Sequence, residues 1–176
     1  MSLPALCRTA EETIPAHVPY LSVEKDVVER WRKKLDVDDG RRHVGLVWAG
    51  NPGHGRDRER SLSLQTLVPA LVGRKDVAFH AFQIGDPLAQ VCEVASDVNV
   101  QPLFTDPQPM REVAAALSAV DLLISVDTAL AHLAGALRLP VWTLITHVPD
   151  CRWMLGRMDT PWYPTMRLFR QPAPGD

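Results

Sequence analysis

The segment Ser125-Val126-Asp127-Thr128-Ala129-Leu130-Ala131-His132 concentrates groups that could bind an anion. A continuous apolar run ends there and a helical pattern begins at Asp127 or Thr128 with no residue to spare. The small Thr128 and Ala129 leave backbone N–H groups open to an incoming phosphate, and the helix dipole favours negative charge at that end. Thr128 and His132 are four apart and share a helix face. A hydroxyl, amides and an imidazole can therefore converge on one anion. The same residues also serve as plain structure, with Asp127 capping the helix and His132 packed inside. On the residues alone both readings stay open.

A second segment, Gly50-Asn51-Pro52-Gly53-His54-Gly55-Arg56-Asp57-Arg58-Glu59-Arg60-Ser61, sets three glycines and three arginines directly after an apolar run. The planar guanidinium fork suits bidentate contact with phosphate, although a solvated charged loop has the same composition. No G-K-[ST] is present and Gly53-His54-Gly55 lacks a third glycine, so neither a P-loop nor a dinucleotide fingerprint is met. Asp36 and Asp38 match a carboxylate pair that could hold a metal–diphosphate, but they lie in a polar turn ahead of the first strand pattern. His43, His54, His80 and His132 show no metal-ligand spacing, and no G-x-S-x-G elbow exists. No metal site is expected.

The elements that position these segments follow from periodicity. Residues 1–23 carry scattered prolines and no sustained pattern, which reads as a linker; residues 24–35 place Val27, Val28, Trp31 and Leu35 at helical spacing, which reads as an amphipathic surface helix. From Val44 onward apolar strand runs alternate with helices. Strands are predicted at 44–49, 77–82, 98–104, 122–126 and 141–145. Helices are predicted over 63–72 with Gly73 as terminator, after Asp86-Pro87, after Asp106-Pro107, and over the run from Thr128 to Arg138. Pro102 marks its strand as an edge or a strand end. The chain thus divides into residues 1–40, linker and surface helix, and residues 41–176, a Rossmann-like domain. The fold class is α/β, a doubly wound parallel sheet, whose ligands bind beyond the carboxyl ends of the strands.

Composition narrows the function classes. The chain has 176 residues, 46% of them apolar, with 19 basic against 21 acidic side chains and a formal net charge of −2. Such a balance argues against a nucleic-acid binder driven by bulk charge and against a disordered acidic segment. Three widely spaced cysteines, Cys7, Cys92 and Cys151, exclude a disulfide framework and imply a reducing, cytoplasmic setting. The most apolar stretch, 113–148, is interrupted by Asp121, Asp127 and Arg138, so no membrane span is expected.

Asp127-Thr128-Ala129-Leu130-Ala131-His132-Leu133-Ala134-Gly135-Ala136-Leu137 resembles the D-[ST]-[GA]-x-x-H-L-A-x-A-L signature of heptosyltransferases and their relatives. Residues 44–61 and 149–171 are similar to one branch in particular: the C-terminal glycosyltransferase domain of bacterial tetratricopeptide-repeat proteins, related more distantly to O-GlcNAc transferase. The resemblance covers about residues 12–176. It implies one C-terminal half of a GT-B fold, which binds the nucleotide-sugar donor. By that resemblance the donor diphosphate is lined by Asp127, Thr128, Ala129 and His132, with Arg60, Ser61 and Asn51 from the first loop. Gln83, Gly85, Asp86, Phe104 and Asp106, at the ends of the second and third strands, are implied to border the base and ribose. One departure is visible: Cys151 stands where the family carries a tryptophan, in the 149–153 loop.

The implied activity is transfer of a sugar, hexosyl or heptosyl, from an NDP-sugar, UDP- or ADP-linked, to an acceptor hydroxyl without an obligatory metal or other cofactor. No catalytic residue is expected in this chain, because the family's general base lies in an N-terminal half. The isolated chain is therefore expected to bind donor and not to turn over, its partners being that half and the repeats. The alternative reading is a degenerate Rossmann-like module for protein interaction. A sugar-nucleotide epimerase half shares the fold, but its catalytic carboxylate and histidine set is not found here.

Overall fold

The computed structural model describes residues 3–174. Six parallel strands, β1 (Arg42–Val47), β2 (Val77–Ala81), β3 (Val100–Pro102), β4 (Leu122–Val126), β5 (Val141–Ile145) and β6 (Met166–Arg170), form one sheet in the order β3-β2-β1-β4-β5-β6. The helices are α1 (Leu3–Leu6), α2 (Lys25–Leu35), α3 (Asp57–Arg60), α4 (Leu64–Leu71), α5 (Gln90–Glu93), α6 (Met110–Leu117) and α7 (Ala129–Ala136). The expected α/β doubly wound architecture is thus observed. The strand order reverses between β1 and β4, and a sheet of this kind opens a crevice at that point.

Differences from the sequence reading have local causes. The sixth strand, β6, was not expected, because Met166–Arg170 lies in a Pro- and Trp-rich tail and its pattern is broken by Arg167. Hydrogen bonding against β5, with Val141 opposite Met166 and Ile145 opposite Arg170, makes the strand. Asp86-Pro87 opens a single 3-10 turn over Asp86–Ala89 that passes into the four-residue α5, shorter than the expected helix. Helix α6 begins at Met110 after Pro109, three residues later than Asp106-Pro107 suggests. Within the glycine–arginine loop, α3 forms a single helical turn. Pro102 does end an edge strand.

Each sheet face buries a separate apolar cluster. One joins Trp31 and Leu35 of α2 with Val113 and Leu117 of α6, Ala131 and Ala134 of α7, and Trp153. The other joins Val44 and Leu46 of β1 with Leu64 and Leu71 of α4 and Phe79 of β2. Helix α2 does more than lie on the surface. Trp31 is buried, meets Phe104 edge-on at 5.3 Å between ring centroids, and donates its indole N–H to Glu112 Oε2 at 2.9 Å.

Two further features matter later. Trp142 of β5 and Phe169 of β6 share the face that α4 covers elsewhere; their rings meet at 5.2 Å, and Trp142 stays 42% exposed. From the turn before β1 into β1 and β2, Asp39, His43 and His80 form a polar line, with both imidazoles buried and Asp39 at the surface. His43 Nε2 lies 3.2 Å from Asp39 Oδ1 and His43 Nδ1 lies 2.9 Å from His80 Nε2. An ionised carboxylate only accepts, so His43 carries its proton on Nε2 and receives one from His80 Nε2–H. That leaves His80 Nδ1 as a buried acceptor with no partner.

Candidate functional site

A cleft of about 460 Å³ opens at the carboxyl ends of β4 and β5, beside the loop that follows β1. This is the crevice side expected from the strand order. Its floor is the amino end of α7. Thr128 is the N-cap, with extended backbone (φ −136°, ψ 167°), and its side chain makes no capping hydrogen bond. Instead Thr128 Oγ1 lies 3.0 Å from Ser125 Oγ. Capping therefore uses none of the first helical amides, while Ala131 N–H already serves the Thr128 carbonyl at 3.1 Å. Amides left free at a helix start are the groups an anion satisfies.

His132 projects from the first turn into the same cleft and is held on three sides. Its ring stacks on Trp153 at 5.1 Å with 16° between planes. Its Nδ1 lies 3.1 Å from the Tyr163 hydroxyl. Its Nε2 faces Asp127 Oδ1 at 3.6 Å and Arg152 Nη1 at 3.4 Å. Burial pushes the Asp127 carboxyl upward. The His132 imidazole, the Trp153 indole and the charge of Arg152 outweigh it and hold the group below the usual carboxylate range. The Trp153 N–H lies on the Asp127 side without reaching full hydrogen-bond geometry.

Three arginines border the cleft. Arg60 donates from Nε to Asp57 Oδ1 at 3.1 Å and from Nη1 to the Asp127 carbonyl at 2.9 Å, fastening the first loop to the end of β4. A Cβ at Gly50 would fall 2.5 Å from Arg60 Nη2 and from Asp57 Oδ1, so glycine there makes room for that pair. Arg56 pairs with Glu59 and donates to the Val148 carbonyl at 2.7 Å. Arg152 pairs with Asp150, which accepts from both Arg152 N–H (3.0 Å) and Nε (2.7 Å). Asp150 is held well below the usual carboxylate range by that guanidinium.

Of the residues singled out in the sequence, the cleft gathers Arg60, Asp127, Thr128, Ala129 and His132. The others lie elsewhere. Ser61 Oγ accepts from Gly50 N–H at 2.9 Å and Asn51 Oδ1 from Gly53 N–H at 2.9 Å, so both shape the loop. Gln83 is buried, accepting from Trp48 and Ala49 N–H and donating to the Ile84 carbonyl, which consumes its amide in pinning β1 to β2. Phe104 is a core ring between Trp31 and Phe82. Gly85 and Asp86, at the start of the 3-10 turn, and Asp106, on a loop, are exposed and outside the cleft lining. Arg152, Trp153 and Tyr163, none of them singled out in the sequence, also border or back the cleft. The loop after the last predicted strand, with an acidic residue two positions before an arginine and an adjoining tryptophan, was the available signal. The loop closes with Cys151 in place: Cys151 is exposed, while Trp153 is 1% exposed and fills the space behind His132. Among the described residues no group of three His, Cys, Asp or Glu side chains is placed to hold a metal ion.

Fold and cleft define the class: an α/β domain with an all-parallel six-stranded sheet, matching GT-B heptosyltransferase structures. Residues 88–170, which take in β4, β5, β6 and α7, match the model of glycosyltransferase family 9 (heptosyltransferase). Protein FlbA of Caulobacter vibrioides (strain ATCC 19089 / CIP 103742 / CB 15) is 30% identical over 171 residues, covering 95% of this chain and 28% of FlbA. The ADP-heptose LPS heptosyltransferase II of E. coli superposes with a TM-score of 0.64 at 16% identity, over 87% of this chain and 45% of that one. E. coli heptosyltransferase WaaC with ADP gives 0.58 at 17% identity, over 92% and 47%. The family 9 glycosyltransferase of Veillonella parvula DSM 2008 gives 0.57 at 16%, over 86% and 42%. The chain thus spans less than half the length of these solved structures and 28% of FlbA. Among the described residues no helix is long and apolar enough to cross a membrane.

Proposed function

We propose that this chain is the nucleotide-sugar donor-binding domain of a glycosyltransferase that moves a sugar from an NDP-sugar, UDP- or ADP-linked, to an acceptor hydroxyl. The observation that carries the reading is the open amino end of α7, with His132 and Arg152 converging on it at the carboxyl ends of β4 and β5. A diphosphate seated there accepts from free amides at a helix start, and its charge finds Arg152, Arg60 and Arg56 close by. When the glycosyl bond breaks, charge develops on the departing diphosphate. Donors fixed before the reaction stabilise that charge without reorganising. This arrangement needs no metal to supply positive charge. The family 9 match and the heptosyltransferase folds support a sugar-transfer domain.

In this reading the nucleoside lies toward the ends of β2 and β3, near Gly85, Asp86 and Asp106, while Gln83 and Phe104 act from within the fold. The base that activates the acceptor hydroxyl comes from a further half. The chain works in the cytoplasm beside that half and tetratricopeptide repeats. Calorimetry on the chain with UDP, ADP and GDP tests the reading. Binding of at least one at millimolar concentration or tighter, with no sugar transfer by the chain alone, is the expected result. Failure of all three to bind refutes it. The exposed Trp142, beside a half-buried Phe169, favours a second reading, a protein-interaction module on this fold; such a module gains no thermal stability from nucleotides.

A further inference from the structure

His132 Nε2 stands between groups of opposite demand. Asp127 Oδ1, 3.6 Å away, can only accept a proton, and Arg152 Nη1, 3.4 Å away, can only donate one. The imidazole meets the first demand with its proton on Nε2 and the second with its proton on Nδ1. The other ring nitrogen, Nδ1, faces the Tyr163 hydroxyl at 3.1 Å, a group able to donate or to accept.

Tyr163 is placed there by backbone packing. Its ring lies against Gly135, one turn beyond His132, where a Cβ would be 2.5 Å from its Cγ. Its own backbone carbonyl accepts from Met166 N–H at 3.0 Å, at the start of β6. The phenol and the imidazole meet at 5.7 Å between centroids with 60° between planes, which brings the hydroxyl to the edge of the imidazole. Burial, and then the neighbouring Tyr20 phenol, push Tyr163 upward, so it keeps its proton. Tyr20 belongs to the segment before α2 and is tied to α7 by its N–H to the Ala136 carbonyl at 3.1 Å.

We propose that Tyr163 is a positioning residue for His132: its O–H donates to Nδ1 and holds the imidazole in the tautomer that presents Nε2–H to the diphosphate of the donor. This rests on the donor-binding reading above. In the free domain the Nε2 proton then faces the Asp127 carboxylate, 3.6 Å away. A bound diphosphate draws Arg152 toward itself and accepts from the same Nε2–H. A phenol suits this place because its ring lies against Gly135 of α7 while its hydroxyl stands at Nδ1.

Two measurements on the same samples test it. Two-bond proton–nitrogen correlation spectra of the 15N-labelled chain report which ring nitrogen of His132 is protonated, with and without ADP. Calorimetry reports ADP affinity. The wild-type chain is expected in the Nε2–H form in both states. Tyr163→Phe keeps the ring on Gly135 and is expected to shift His132 toward the Nδ1–H form and to weaken ADP three- to tenfold. Tyr20→Phe, which leaves the Tyr163 hydroxyl in place, is expected to retain the wild-type tautomer. An unchanged His132 tautomer in Tyr163→Phe overturns the proposal, even if affinity falls, because loss of packing alone would do that. If the wild-type chain binds none of UDP, ADP and GDP, the donor-binding reading fails, while the tautomer in the free chain still decides the role of Tyr163.

Discussion

Arg60 and Thr128 reach the cleft in different ways, and substitutions at the two separate their contributions. Arg60 spends two of its donors on Asp57 and the Asp127 carbonyl, so it acts on a ligand through charge and through the loop it fastens. Arg60→Glu reverses the charge and sets a carboxylate against Asp57. Thr128→Trp leaves the charges alone and fills the space before the α7 amides. Both are expected to weaken the nucleotide that binds best at least tenfold, about 1.4 kcal/mol; unchanged affinity in both moves the site elsewhere. Gly135 tests the packing beneath. Gly135→Ala forces its Cβ onto the Tyr163 ring, 2.5 Å away. Crowding of this kind costs about 1–3 kcal/mol, read as a lower urea midpoint with a weaker ADP affinity. At this scale the sequence was legible where chemistry and chain position coincide. Asp127, Thr128, Ala129 and His132 share one strand-to-helix junction. Arg152, Trp153 and Tyr163 arrive from an irregular loop, and no periodicity says where such a loop lands.

Among the elements, β1 and β2 carry the feature most sensitive to acid. Burial, and then the neighbouring His43, hold His80 down at about 4, against 6.5 for an exposed histidine. Between those values the unfolded chain binds more protons than the folded one, so stability rises with pH across the window. The contribution is fully present above about pH 6.5 and is lost as the pH falls toward about 4. The urea midpoint is expected to drop through that range. His80→Gln, which can still donate to His43 Nδ1, is expected to flatten this part of the drop; an unchanged slope removes His80 as its cause. Elements with strong patterns were legible. α2 shows its apolar stripe, β4 is a short continuous run, and α7 is bounded by its cap. β6 was missed because an edge strand needs only one neighbour and shows half a pattern. Its place beside β5 is a tertiary fact.

For the whole molecule, the consequence of donor binding is thermal. A ligand that binds only the folded state stabilises by RT ln(1 + [L]/Kd), about 2.7 kcal/mol at a hundredfold excess over Kd. The melting temperature is expected to climb steadily with added ADP or UDP, and to climb less at the same concentrations in Thr128→Trp. A flat response in the wild-type chain favours the interaction module instead. The architecture was legible as a whole because alternating strand and helix patterns admit few topologies. The division of labour between faces was not, since Trp142 reads as core from its apolar neighbours and lies exposed in the fold.

The two outermost strands carry a further consequence. A sheet edge presents unpaired amides and carbonyls on which another chain can grow. Here one border is the three-residue β3, ending at Pro102, which has no amide to offer. The other is β6, which sets Arg167 and Arg170 along its short length. Edge-to-edge accretion is therefore discouraged on both sides, by a missing donor on one and by like charge on the other. A domain built this way can leave Trp142 exposed on a sheet face without its strands seeding a fibril.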